Sequence, residues 1–523
     1  MTTAAAPTAP PAWLLAVVSL LGGVATSLAF APTTWTPLVV VGPAVALWAW
    51  THASTARLGA LYGVLYGWSF SFPAFRWMLE VDAVAGVVLP AIQGCFWAVT
   101  GAVAAVASAR LRPSWWVAVV AATWTLVEVS RARVPLTGFE WGQLSMATAD
   151  TPVRQAAAAV GAIGVTGAMV AVAAGLATLA FGRDRRSPVP LLVSFVVVGL
   201  AVGMGLVRWT SPVADLDVAV IQVDDPCPGV FAQDCPGYST ELLRSYVAGA
   251  AQLDRAPDLM VWGEDALLGA ETLQQVGTRL MRDAGALPAP LLAGAGTPTA
   301  PGRFLRWAAL FDANGVAVDG YAKRMPVPFG EYVPLRGLLG GISQVGRLVP
   351  NDLEAGQDAS PVVLRTDTGV VSLGTVVSWE VTFSRAVRAV AAEANGLAAL
   401  TTVASYGTTA ASDQLLDAAQ LRAAEHQKPM VVAATTGRSA LIAPTGAMEA
   451  SSALFRADQL TGSLALRTGL TPFARFGDLP VVLVAVAILL AAVRPWRRVA
   501  LDETSEAPTG QRGACRSADA LPR

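Results

Sequence analysis

Three strings in the second half of the chain each close an apolar run on a polar group. Leu-Met-Val-Trp-Gly-Glu ends on Glu264. Tyr-Ala-Lys-Arg-Met-Pro-Val-Pro-Phe-Gly-Glu carries Lys323 and Glu331. Val-Val-Ser-Trp-Glu brings Ser378, Trp379 and Glu380 to the end of a β-rich run. A carboxylate, an ammonium and a small nucleophile-type residue at three strand ends have the layout of a Glu-Lys-nucleophile site. In such a site the carboxylate acts as general base, the ammonium steadies an oxyanion and the nucleophile carries an acyl group. Taken singly, Glu264 fits a surface residue and Ser378 a turn residue; the combination with the long lysine string points to catalysis. Lysine is also scarce, with 34 arginines but only Lys323 and Lys428. Arginine does not give up its proton, whereas a buried lysine shifts its pKa, so a lysine here suggests a place that needs an ammonium.

The strands that would position these groups alternate with helical stretches. Strand candidates are 216–223, 259–262, 290–294, 370–377, 397–403 and 430–434. Helix candidates are 240–253, 271–284, 382–395 and 413–426. Alternation of this kind predicts a layered α/β domain.

The first 210 residues have another character. Of the 523 residues 54% are hydrophobic and 14% charged, against roughly 25% charged in a soluble protein. Seven apolar runs precede residue 210, at 13–30, 37–50, 58–75, 83–108, 115–129, 156–181 and 189–209, and an eighth lies at 479–493. Each approaches the ~20 residues that cross a bilayer as a helix. A polytopic α-helical membrane protein of eight spans is expected, with seven spans in 1–210, an aqueous domain in 211–470, the last span in 471–498 and a disordered cytoplasmic tail in 499–523. Arg57, Arg110, Arg112, Arg183, Arg185, Arg186, Arg494, Arg497 and Arg498 fall on one side of an even-numbered set of spans. That side is then the cytoplasm, and the α/β domain lies outside it. Arg131, Arg133 and Arg154 fall on the domain side. The net charge of −1 provides no basic field for nucleic acid. Nearly charge-free spans argue against a transporter.

Cys227 and Cys235 share a Pro-rich loop on the expected oxidising side, where a disulfide can persist. No metal-ligand spacing occurs and no cofactor is expected. His426, in Leu-Arg-Ala-Ala-Glu-His-Gln-Lys-Pro, reads as a solvated helix residue. Glu128, near the end of the fifth run, reads as an interfacial ion pair with Arg131.

The chain resembles the apolipoprotein N-acyltransferase family of the nitrilase (carbon-nitrogen hydrolase) superfamily over nearly its whole length. The resemblance rests on residues 58–77, on Leu-Thr-Gly-Phe-Glu-Trp…Asp-Thr-Pro-Val-Arg-Gln at 136–155, and on Val-Ala-Val-Ile-Gln at 218–222. It rests also on the Glu264 motif, on 433–446 and, most specifically, on 323–335. It implies an extracytoplasmic nitrilase-like αββα sandwich on the cytoplasmic (inner) membrane. The implied reaction moves an acyl chain from a phospholipid donor to the α-amine of a diacylglyceryl-cysteine lipoprotein. Glu264 then falls on the general base, Lys323 on the catalytic lysine and Ser378 on the nucleophile. Glu331, Glu380 and Trp379 fall on accessory positions.

Ser378 stands where the family has cysteine, Gly263 where it has proline and Trp379 where it has tyrosine; Ala-Ser-Tyr-Gly-Thr-Thr at 404–409 replaces its Asn-Asp-Ala-Trp-Phe-Gly loop. A hydroxyl is a weaker nucleophile than a thiol, so both half-reactions should slow. The alternatives are a slow serine enzyme, an inactive paralogue serving as a lipid- or lipoprotein-binding scaffold or as partner of another membrane enzyme, and a deliberate exchange of cysteine for serine. The changed neighbours favour natural divergence over the last. A polyprenol-phosphate mannose synthase is a partner suggested by actinobacterial relatives.

Overall fold

The computed structural model describes residues 10–180, 187–227, 234–269, 271–339, 349–366 and 369–505. Each of the eight apolar runs falls on helix. The amino-terminal part contains α1 (Ala12–Ser27), α2 (Leu38–Thr51), α3 (Ala56–Ala74), a short α4 (Met78–Val81), α5 (Ala85–Cys95) and α6 (Trp97–Arg110). It continues with α7 (Pro113–Arg131), α8 (Ala157–Thr178) and α9 (Val189–Leu206). Among the described residues three helices are long and apolar enough to cross a membrane: Ala85–Arg110, Pro152–Thr178 and Val189–Leu206. Ala12–Ser27, Leu38–Thr51 and Leu479–Val493 are shorter apolar helices. The outer face of α9 exposes Leu192, Val193, Phe195, Val196 and Leu200, a continuous apolar surface that water does not favour.

Inside the bundle, Trp50, Tyr66, Trp97 and Trp124 pack edge-on or stacked with ring centroids 5.6–6.3 Å apart. Glu128 and Arg131 do pair, at 2.8 Å, and both are buried within the protein. Arg131 also donates to the Gln93 side chain and to the Trp141 carbonyl. A buried pair needs these extra partners to offset its desolvation.

From residue 210 the chain builds two sheets. The first contains β1 (Thr210–Gln222), β2 (Leu259–Trp262), β3 (Leu291–Ala300), β4 (Arg303–Phe311), β5 (Ala317–Ala322) and the two-residue β6 (Asp352–Leu353). The second contains β7 (Val362–Thr366), β8 (Gly369–Val377), β9 (Gly396–Thr401), β10 (Met430–Ala434), β11 (Ala440–Ile442) and β12 (Met448–Ser451). β13 (Asp458–Gly469) returns to the first sheet. The strand orders are β13-β1-β2-β3-β4-β5, with β6 beside β4, and β12-β11-β10-β9-β8-β7. Each sheet has a parallel centre, β1-β2-β3 and β8-β9-β10, with antiparallel flanks. The parallel strands β2, β9 and β10 are buried at every residue, as strands covered on both faces must be.

The crossovers supply α10 (Tyr238–Ala250) and α11 (Leu273–Ala284) on the first sheet. After a single turn α12 (Arg336–Leu339), they supply α13 (Ser384–Ala391) and α14 (Ala411–His426) on the second. The sheets meet face to face through β1 with β10, β4 with β8 and β5 with β7. The result is the expected αββα sandwich. The chain then turns through α15 (Pro472–Phe476) into α16 (Leu479–Ser505). α16 thus runs seven residues into the segment expected as a disordered tail; residues 506–523 lie outside the described residues, as do Arg183, Arg185 and Arg186.

α14 overturns one expectation. His426 is not solvated: it is 1% exposed, and its ring lies 5.9 Å from that of Phe473. The helix is wedged between the second sheet and the amino-terminal helices, so its polar residues are buried polar residues. Gln414 uses all of its hydrogen-bonding capacity there. Its Oε1 accepts from the indoles of Trp77 and Trp141, and its Nε2 donates to the carbonyls of Ala31 and Ala74. Glu425 accepts from the backbone amide of Ala162 at 2.8 Å. That amide is free because α8 breaks its helical geometry at Gly161, where φ is +68°.

Candidate active site

The two sheets bring their strand ends to one place. Glu264 follows β2; its backbone amide donates to the carbonyl of Thr401 at the end of β9, which also accepts from the amide of Thr435 after β10. Gly263 has no room for a side chain: an added Cβ would lie 2.4 Å from the Thr435 amide nitrogen. Its own N–H donates to the Tyr246 hydroxyl at 3.3 Å, a bond proline could not make.

Lys323 leaves the end of β5, and its amide donates to the Arg306 carbonyl on β4. Its Nζ is fully buried, 2.6 Å from Glu331 Oε1 and 3.6 Å from Glu264 Oε1. The Pro-rich segment after Lys323 curls back so that the Val327 amide donates to Glu331 Oε2 at 2.8 Å. Glu264 Oε2 accepts from the Thr402 amide.

Ser378 begins the tight turn Ser378–Thr382 after β8. Its φ of +59° lies in the left-handed region, which a non-glycine residue occupies at a cost in strain of ~1 kcal/mol or more. The residue is 8% exposed. Glu380 ties this turn to the lysine strand. Its carboxylate accepts from the amides of Val377, Arg324 and Met325 at 2.9 Å and from the Tyr321 hydroxyl at 3.0 and 3.1 Å. The residue before Ser378 and the residue after Lys323 therefore share one carboxylate. The Trp379 indole donates to the Met325 carbonyl, locking the same two segments a second time.

All six residues singled out in the sequence converge here. Arg306, Tyr321 and Tyr406 were not singled out. Arg306 donates to Glu264 at 2.7 Å and to Glu331 at 2.9 Å, and pairs with Asp265 at 3.2 Å. An arginine inside an apolar run, Phe-Leu-Arg-Trp-Ala-Ala-Leu-Phe, was the available signal. Tyr406 lies in the exchanged 404–409 segment and packs against Trp77 at 5.0 Å and Trp141 at 6.5 Å, so this segment rests on the amino-terminal helices.

Electrostatics separates the carboxylates. Burial, opposed by Lys323 and Arg306, leaves the Glu264 carboxyl above the usual glutamate range. Burial acts on Glu331 as well, but there Lys323, Arg306 and the Val327 amide outweigh it and hold the carboxyl low. Glu380 is raised by burial despite its donors. Arg306 pays for burial too, yet Asp265, Glu264 and Glu331 hold its guanidinium firmly charged. Two carboxyls pushed in opposite directions beside one ammonium are suited to proton transfer next to a developing negative charge. The second lysine has a different use. Lys428 donates to the Ala391 carbonyl at 2.6 Å, capping α13, and burial lowers its pKa to about 8. Among the described residues no cluster of metal ligands occurs.

An αββα sandwich with this site, preceded by a helical apolar region, defines a carbon-nitrogen hydrolase-type protein with a membrane-type domain attached. Residues 218–467 match the carbon-nitrogen hydrolase family and residues 22–175 the apolipoprotein N-acyltransferase N-terminal domain. The chain is 32% identical to an apolipoprotein N-acyltransferase of Chromobacterium violaceum over 73% of each chain. It is 30% identical to one of Mycolicibacterium smegmatis over 90% of this chain and 84% of that one. Among solved structures, an amidase of Nesterenkonia sp. AN1 aligns at 17% identity and a TM-score of 0.35, covering 53% of this chain and 97% of the amidase. The chain belongs to the apolipoprotein N-acyltransferase family.

Proposed function

We propose that the chain transfers an acyl group from a phospholipid to the amino-terminal amine of diacylglyceryl-cysteine lipoproteins through an ester on Ser378. In this reading Glu264 takes the Ser378 proton as the hydroxyl oxygen attacks the donor ester. Lys323 steadies the oxyanion, and collapse expels a lysophospholipid whose alkoxide takes the proton back from Glu264. The acceptor amine then attacks the acyl-serine. Glu264 receives the amine proton, the amide forms, and the proton returns to the leaving Ser378 oxygen. Glu331 holds Lys323, Glu380 and Trp379 hold the Ser378 turn, and Arg306 holds both Glu264 and Glu331. The observation that carries the reading is Glu380's bridge between the Ser378 turn and the Lys323 strand, with Lys323 itself 3.6 Å from Glu264.

The membrane setting completes the proposal. Residues 1–210 and 471–498 supply eight spans of the cytoplasmic membrane, and the sandwich, residues 211–470, lies on its outer face. The arginines on the domain side each have a protein partner: Arg131 pairs with Glu128, Arg133 with Asp478, and Arg154 donates to the Thr445 carbonyl. Their presence there is therefore compatible with that orientation.

Phospholipid vesicles are expected to leave one acyl chain on Ser378, read as an intact-mass increase that Ser378→Ala abolishes. Ser378→Cys should acylate faster, by about tenfold or more, because a thiolate is intrinsically the stronger nucleophile. A lipid- or lipoprotein-binding scaffold is the second reading. The 2.7 Å contact of Arg306 on Glu264 favours it, since a guanidinium on the base competes for the oxygen that must take the proton. No adduct on the native serine, with a strong one on Ser378→Cys, would decide for the scaffold.

A further inference from the structure

A cavity of about 420 Å³ opens where the end of α7, the outer face of α13 and the turn from α15 into α16 meet. It shares no lining residue with the Glu264–Lys323–Ser378 cluster. Three guanidiniums, of Arg133, Arg385 and Arg388, line it against one carboxylate, Asp478, which lies 3.7 Å from Arg133. The arginines are held in place by backbone carbonyls. Arg385 donates to those of Ala132 and Thr137, Arg388 to those of Ala474 and Arg475, and Arg133 to that of Val129. Carbonyls fix the guanidiniums without neutralising them, and each guanidinium, with about five donors, has N–H groups left over. The amino-terminal end of α16 opens on the same cavity and adds partial positive charge.

The other wall is apolar. Val129 and Val482 line it, and Phe476 and Leu479 are 55% and 59% exposed. These residues continue directly onto α7 and α16. A fixed cationic rim above an exposed apolar wall, at the level where apolar helices meet an aqueous domain, is complementary to a molecule with an anionic head and hydrocarbon tails.

We propose that this cavity binds an anionic phospholipid, with its phosphate on Arg133, Arg385 and Arg388 and its acyl chains along Val129, Leu479 and Val482. The lipid bound here is not the acyl donor. The excess of positive charge disfavours a head group carrying its own ammonium or choline, so the site selects by charge. The inference shares with the proposed function only the membrane placement.

The test uses the full chain carrying Ser378→Ala, so that acyl transfer plays no part, exchanged into equal phosphatidylglycerol and phosphatidylcholine and read by native mass spectrometry. Phosphatidylglycerol should be retained selectively. Arg133→Gln, at a largely exposed residue, should lower that selectivity about tenfold, the factor that ~1.4 kcal/mol represents, and Arg133→Lys should keep most of it. Arg133→Gln combined with Arg388→Gln should abolish it, with circular dichroism confirming that both variants remain folded. Inorganic phosphate at millimolar concentration should not displace the lipid. Equal retention of the two lipids, undiminished selectivity in the folded Arg133→Gln variant, or displacement by phosphate alone would each overturn the proposal. The first two results would show that the arginines do not select the head group, the last that the site takes a simple anion.

Discussion

Lys323 and Arg306 are the cations that act on both Glu264 and Glu331, with Asp265 on Arg306 and Glu380 nearby. Such a cluster holds together because each carboxylate has a different set of partners. Glu331 sits between both cations, Glu380 has backbone amides and a phenol, and Glu264 is fully buried with the more distant ammonium. Burial therefore dominates at Glu264, raising its pKa. A base must be deprotonated to act, so the rate of acyl-ester formation should fall as pH drops through that raised value, at a higher pH than for an ordinary glutamate. Replacing Arg306 by Met removes a charge that favours the carboxylate and should move this limb to still higher pH. Glu264→Gln should cost about 10²- to 10⁴-fold in rate. A pH–rate profile of the intact-mass assay checks all three; an unmoved limb in Arg306→Met would show that the arginine does not act on Glu264.

Among the elements, α14 does most to unite the chain. It carries polar groups that join the sandwich to the amino-terminal helices, and those of Gln414 and Glu425 find partners far away in sequence. Gln414→Leu would strand two indole N–H groups and two carbonyls and should destabilise the protein by on the order of 2–4 kcal/mol, measurable by thermal unfolding. At the other end of the helix, burial raises the pKa of Glu425 to about 7, and burial does the same to the neighbouring Glu140, whose carboxylate accepts from the Ser384 amide. Unfolded glutamates lose their protons near 4.5, so between 4.5 and 7 the folded state holds protons that the unfolded state has released. Stability should consequently be greatest below that window and decline as pH rises through it, flattening above about 7. Glu425→Gln retains the acceptor for the Ala162 amide and should remove part of the decline, on the order of 1–3 kcal/mol. A slope unchanged in Glu425→Gln would assign it elsewhere.

In the whole molecule one buried apolar cluster runs from Trp50 and Trp124 of the amino-terminal helices, through α14, into the space between the sheets. A second, smaller one lies under α10 and α11. The functional parts are thus fixed to a common base. Cys227 and Cys235 are bonded, which is consistent with the proposed placement of the sandwich in an oxidising compartment. The proposed topology predicts that Asp254→Cys, at an exposed site on the sandwich, reacts with a membrane-impermeant maleimide in intact spheroplasts. Labelling only after lysis would place the sandwich on the cytoplasmic side.

Local pattern was enough for the apolar helices, for β2 and β10 to the residue, and for the strand-end positions of Glu264, Lys323 and Ser378, because apolar runs and strand-end polar groups are properties of contiguous sequence. It did not reach the return of β13 to β1, since pairing between residues 210–222 and 458–469 depends on what lies between them. Nor did it reach Arg306, whose side-chain partners come from two separate segments, Glu264–Asp265 and Glu331. His426 looked solvated because its neighbours in sequence are polar, yet burial is decided by what packs against a helix. The types of the proposed reacting residues belong to the sequence; their distances, the separation of Glu264 from Glu331 in proton affinity, and the seam along α14 arise only when two sheets and a helical base desolvate them together.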